Sequence, residues 1–271
     1  MRTLMAVVCN AVAGRDDEMN EWYTWVHVRD VMKLPGSIAV QRWALAALQP
    51  RGAKPFKYLA LYELSDQDAC TKGHAAKVFT PEMPISSAFD FNSFHEAYYD
   101  PVDNGSTAEF AAPAGEAPVL FARMNAVEGE AGALETFFTG GALSQIACLP
   151  GVRAAHLFRY GHDQIFAGAS PYSHVLVGQL CAVHAAVPAW DAFVSGLSSA
   201  QQPVAWDRAE IAVYEPIMPR LTAAEVLHPS AEAQARSDRA RAALGDRVHT
   251  AEVLAASASV SPDFMPGVPR S

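Results

Sequence analysis

The chain has 271 residues, 51% of them hydrophobic, enough to bury roughly 70–75% of its unfolded surface, and it reads as a globular protein. Its 29 acidic and 20 basic residues give a formal charge of −9 with no Lys/Arg run, which argues against a nucleic-acid groove or an anionic membrane surface as partner. Small molecules and other protein chains remain; no stretch approaches the ~20 apolar residues of a membrane helix, and four scattered cysteines without a CxxC pair suit a reducing cytoplasm.

The first apolar run, Leu4 to Val12, follows Arg2 and leads into Ala11-Val12-Ala13-Gly14, imitating a short secretory signal. An internal repeat argues otherwise. Cys9-Asn10-Ala11-Val12 is answered by Met124-Asn125-Ala126-Val127, and Leu34-Pro35-Gly36 by Leu149-Pro150-Gly151, both at an offset of 115 (124 − 9; 149 − 34). In the same frame Tyr99-Asp100-Pro101-Val102 falls on Tyr214-Glu215-Pro216-Ile217. Residues 3–12 therefore correspond to mid-chain residues 118–127, and the first run is expected to be a strand.

A helix with an acidic first turn, Asp16-Asp17-Glu18, follows and is stopped by Pro35-Gly36. Strands are expected at Ser37–Ala44 and Tyr58–Leu64, then a weaker helix and a last strand ending in Tyr-acid-Pro. The second copy repeats this with Val119–Val127, a helix stopped by Pro150-Gly151, and strands at Val152–Arg159 and His174–Leu180. The order is β-α-β-β-α-β, the ferredoxin-like pattern. The expected division is a first repeat at 1–104, a linker at 105–116, a second repeat at 117–218, and an Ala-rich helical tail at 219–271 whose final residues are mobile. The bare face of each sheet needs cover, so the fold class expected is α+β: two tandem ferredoxin-like repeats packed sheet to sheet around a barrel-like cavity. Fusion removes the need for a second chain, while homo-oligomer formation through the tail stays open.

The segment Glu21-Trp22-Tyr23-Thr24-Trp25-Val26-His27-Val28-Arg29-Asp30-Val31, then Leu34-Pro35-Gly36, Gln41-Arg42-Trp43 and Tyr58-Leu59-Ala60-Leu61-Tyr62-Glu63-Leu64, resembles the EthD-like branch of the dimeric α/β-barrel superfamily. The resemblance covers residues 1–102 directly and 117–217 by repeat alone. It implies a small-molecule enzyme from a group that includes cofactor-free isomerases, cyclases, dehydratases, monooxygenases and haem enzymes. The second copy departs from the pattern: His27 becomes Ala142, Asp30 becomes Gln145, Trp22-Tyr23 become Phe137-Phe138, and Arg42 becomes Leu157. Copy two reads as a scaffold, copy one as the active half.

On a regular helix Tyr23, His27 and Asp30 share one face, and a carboxylate beside an imidazole is a base with its orienting partner. The alternative is that His27 merely bonds Asp30 or a carbonyl at the helix end. Arg42 alternates with Ile38 and Val40 and either holds a substrate carboxylate or phenolate or sits in a rim ion pair. Tyr58 and Tyr62 share a face of one strand; Phe91, His95 and Tyr99 share another, with Trp206, Glu210 and Tyr214 at the equivalent positions of copy two. If those faces point inward they line an aromatic pocket with a few polar groups; core packing would explain the aromatics equally well. Asn10 and Asn125 read as turn or cap residues. The remaining histidines lack metal-ligand spacing, and no phosphate loop, nucleophile elbow or haem-attachment motif occurs.

The leading expectation is a cofactor-independent lyase or isomerase working by acid–base chemistry on a small aromatic or polyketide-like molecule. His27, Asp30 and Tyr23 would be catalytic, and Arg42, Tyr58, Tyr62, His95, Tyr99, Trp206 and Glu210 would bind substrate. A haem or metal enzyme with an inward histidine as ligand, and a non-catalytic carrier of an apolar ligand, are the alternatives.

Overall fold

In the computed structural model, which describes residues 2–52, 56–108, 117–128, 130–161, 164, 172–197 and 203–249, the first repeat begins with β1 (Thr3–Ala11), α1 (Asp16–Trp22), a π turn (Tyr23–His27) and α2 (Val28–Met32). It continues with β2 (Ser37–Leu45), β3 (Tyr58–Leu64), α3 (Gln67–Lys77) and β4 (Phe89–Ser106). The second repeat begins with β5 (Val119–Met124), α4 (Ala131–Phe137), another π turn (Phe138–Ala142) and α5 (Leu143–Ala147). It continues with β6 (Val152–Tyr160), β7 (His174–Leu180), α6 (Val183–Gly196), a 3-10 turn (Trp206–Arg208) and β8 (Glu210–Thr222), before α7 (Ala223–Leu227) and α8 (Ala231–Leu244). The 115-residue offset carries the α1, π-turn and α2 starts onto their counterparts without slippage (16 to 131, 23 to 138, 28 to 143). The mobile end expected at 264–271, and most of the linker, lie outside the described residues.

All eight strands close into one barrel in the order β1-β3-β2-β8-β5-β7-β6-β4, so each repeat supplies a four-stranded sheet with its first and third strands at the centre. The fold is α+β: two tandem ferredoxin-like units joined sheet to sheet. The last strands outrun their expected Tyr-acid-Pro ends, because there they cross to the other repeat. Pro101 pairs with Phe158 and Ser106 with His156 on one seam; Pro216 pairs with Trp43 and Thr222 with Ala39 on the other. Both seams carry register shifts, which accommodate residues that cannot donate to a ladder. Among the described residues, no helix is long and apolar enough to cross a membrane.

Strand alternation divides the apolar residues into three layers. One lies under the helices of the first repeat, one under those of the second, and one fills the barrel with Leu4, Val8, Trp43, Leu61, Phe121 and Phe158 among others. Among the described residues these side chains occupy the interior that was expected to be a cavity. Eight strands enclose an interior that side chains can fill, and the space left beside Arg123 and Glu210 is about 10 Å³.

One end of the interior is closed by Glu63, 2% exposed, which accepts hydrogen bonds from Arg2 at 3.0 Å and Arg220 at 3.0 Å. Glu63→Gln removes the carboxylate between two guanidiniums that are themselves partly solvated. It should cost about 2 kcal/mol, read as a lower urea midpoint with an unchanged slope.

Candidate active site

The π turn decides which side chains of the first helix meet the sheet. The Val28 N–H reaches back five residues to the Tyr23 carbonyl, so this turn holds one residue more than an α-helical turn and rotates everything after it. Tyr23 and His27 stay together, with ring centroids 5.0 Å apart and edge to face. Asp30 swings away: its Oδ1 accepts from Arg241 on α8, so it does not orient His27 as the spacing suggested. Its place in the structure is an anchor for the tail helix, beside the Ser237 hydroxyl that donates to the Trp25 carbonyl at 2.7 Å.

His27 is instead joined by two residues the sequence reading left out. His74 of α3 lies with its ring 6.4 Å from that of His27, and its Nδ1 is 4.0 Å from Glu96 Oε1 on β4. The three line a space of about 30 Å³, room for one or two waters, walled by Trp22, Tyr23, Phe89, Phe91 and Phe94. His27 Nδ1 is buried without a hydrogen-bond partner. Burial, followed by the neighbouring His74 and Arg42 charges, brings the His27 imidazole down to about 3. Burial alone brings His74 down to about 4 and pushes the Glu96 carboxyl up to about 8. At neutral pH the cluster is thus one protonated carboxylic acid facing two neutral imidazoles. Groups driven apart in this way are the signature of an acid and a base sharing one site.

The second repeat supplies an internal comparison. Ala142 stands where His27 does, Ile211 where Glu96 does (96 + 115), and Trp190 takes the eighth position of its helix as His74 does of α3. All three belong to the apolar layer of that half. The Glu96-to-Ile211 exchange was the sequence signal that could have found the acid.

Tyr23 and Tyr62 are both buried on the helix side of the sheet, and burial raises both hydroxyls above the usual phenol range. Arg42 faces the helices, not the barrel: its guanidinium covers the Tyr23 ring at 4.1 Å and donates to Thr24 Oγ1 at 2.6 Å and Asn20 Oδ1 at 2.8 Å. Tyr58 lies at the rim, donating to Asp16 at 2.8 Å. His95, Glu210 and Tyr99 do face the barrel, but they serve its packing. Arg123, unanticipated, bonds His95 Nδ1 at 2.7 Å and Glu210, and lies between the rings of Phe56 and Tyr172. Tyr99 meets Tyr160 edge to face. Phe91 belongs to the helix side, because a register shift between Cys9 and Ala11 on β1 reverses the alternation expected along β4. Trp206 sits outside the barrel, against Trp190 and Phe138. Asn10 and Asn125 are clamps rather than caps: each side chain accepts from the backbone ahead of the third strand of its repeat, at Lys57 and Ser173.

The residues present do not fit haem at His27. Its ring is stacked on Trp22 at 4.9 Å and the adjoining space is an order of magnitude below the ~300 Å³ lower range of cofactor sites. Among the described residues no group of three His, Cys, Asp or Glu is arranged to hold a metal ion.

No protein-family model matches the sequence, and no curated protein does. The chain is similar to a solved anthrone oxidase-like protein, with a TM-score of 0.55 and 14% identity over 84% of this chain and 96% of that one. It also matches a chlorite dismutase variant from Candidatus Nitrospira defluvii, with a TM-score of 0.49 and 9% identity over 87% of this chain and 95% of that one. At such identities the likeness concerns the fold.

Proposed function

We propose that this chain is an acid–base enzyme, a duplicated relative of the EthD-like branch, which moves a proton within a small apolar or aromatic molecule at the His27–His74–Glu96 cluster. The reading rests above all on a buried His27 Nδ1 with no hydrogen-bond partner in a pocket shared with a carboxyl held near 8. His27, neutral at working pH, takes the proton, and Glu96, protonated, gives one to another atom of the same molecule. The products on the protein are an imidazolium and a carboxylate, so the site gains no net charge, and each ion stabilises the other in a dry pocket. His74, next to Glu96, passes the proton back and restores the starting state. Tyr23, which lines the pocket, bears on the oxygen where charge develops. No cofactor is part of this scheme, and isomerisation, cyclisation and dehydration all use it.

A ring-sized molecule needs more than the 30 Å³ of the closed pocket, and the wall that can yield is the segment carrying Phe79 and Ile85, between α3 and β4. This wall is not integral to the barrel. It is strapped by the C-terminal end of the described chain, where His249 donates to the Ile85 carbonyl at 2.8 Å and its ring meets Phe91 at 4.7 Å.

The test is deuterium exchange in D2O, followed by NMR, over a panel of CH-acidic aromatic and polyketide-like compounds that includes an anthrone. Wild-type protein should accelerate exchange at one carbon of a panel member above the protein-free rate, and His27→Ala should not. Equal acceleration by both proteins would overturn the assignment.

A further inference from the structure

A second space lies on the other side of Arg42. It is a groove of about 500 Å³ bordered by α1, the π turn, α2, β8 and α8, a size in the range of small-ligand sites. Its apolar wall is Ile217, Met218 and Leu221, faced by Trp25. Its polar content is unusual in charge. Arg29 is 8% exposed and its Nε is buried without a hydrogen-bond partner; it stacks on Trp25 at 5.0 Å, and the Glu225 carboxylate acts on it through space without forming an ion pair among the described residues. Arg42 lies directly behind Asn20 and Thr24 of the groove floor, and its hydrogen bonds to protein oxygens go only to neutral groups. Arg236 also lies over Trp25 at 4.4 Å but is paired with Glu21 at 3.3 Å, and Asp17 lines the groove.

A buried guanidinium whose Nε has no acceptor is costly unless something supplies one. We propose that the groove is a binding site for a small aromatic carboxylate, whose ring lies between Trp25 and the Ile217–Leu221 wall and whose carboxylate is held by Arg29. The carboxylate supplies the paired, planar acceptor that a guanidinium binds best. The charge on Arg42 adds attraction through the floor. The site is separate from the His27 pocket, and its test needs no turnover.

The probe is 1-naphthoate, compared with the neutral 1-naphthylmethanol, by calorimetry on the full chain. Naphthoate is expected to bind at least tenfold more tightly than the alcohol. Arg29→Met should weaken it at least tenfold, with folding checked by circular dichroism. Ile217→Glu, at a side chain 43% exposed and so without risk to the fold, should do the same by placing a like charge on the wall. His27→Ala should bind as wild type. No measurable naphthoate binding, no preference over the alcohol, or unchanged binding in both groove variants would each overturn the proposal. Loss in His27→Ala alone would also overturn it, by moving the ligand to the other pocket.

Discussion

Replacing His27 by alanine is expected to lower turnover by about 10²–10⁴-fold, the usual worth of a positioned proton acceptor, while leaving the fold intact. The imidazole is neutral and its Nδ1 holds no hydrogen bond in the protein, so its loss strands no partner. The discriminating control is Asp30→Asn. Spacing alone made Asp30 the orienting partner, whereas its carboxylate is engaged with Arg241; the substitution should leave kcat within a few-fold and act on the docking of α8. Glu96→Gln should lower kcat as well, and in a different manner. With the acid held near 8, wild-type kcat/KM should fall as pH rises past that value, and the glutamine variant should lack this alkaline limb. A full-rate His27→Ala, or an Asp30→Asn as impaired as it, would return the chemistry to some other part of the molecule.

The repeat and the sheet-to-sheet closure were legible because an offset of 115 and period-two alternation are properties of the chain alone. What stayed hidden has specific causes. The π turn leaves no mark in hydrophobic periodicity, yet it sends Asp30 to α8 and His27 to the sheet. His74 and Glu96 are far apart in sequence and join His27 only through α3 and β4, so no local motif names them. That His95, Glu210 and Tyr99 lie on matching faces was legible from alternation and the offset, but whether such a face lines a cavity depends on side-chain volumes summed around the barrel. Arg123, buried between two rings, completes that packing and could not be inferred from its own strand. Trp206 followed the offset in sequence but not in conformation, since copy two makes a 3-10 turn there while the equivalent residues of copy one belong to a strand.

The same cluster that would do the chemistry should shape the stability of the protein against pH. Glu96 holds its proton up to about 8 when folded, while an unfolded carboxyl of this type releases it near 4.5. Between those values the unfolded chain binds fewer protons, so this residue makes stability fall as pH rises. His27 and His74, brought down to about 3 and 4 from 6.5, act in the opposite sense: the unfolded chain binds more protons over that interval, and stability is lost as pH falls below 6.5. The three slopes together place the maximum near pH 6.5. Each pH unit per titrating group is worth about 1.4 kcal/mol, so ionising Glu96 between pH 6.5 and 8 should cost about 2 kcal/mol. Urea unfolding at pH 5, 6.5 and 8.5 measures this directly. Glu96→Gln keeps the volume of the side chain and cannot ionise, so its stability should stay level from 6.5 to 8.5 where the wild type declines. Parallel curves for the two proteins across that interval would mean that Glu96 is ionised in the native state at neutral pH. The pocket would then hold a carboxylate facing an imidazolium, and the direction of proton transfer assigned to His27 and Glu96 would be reversed.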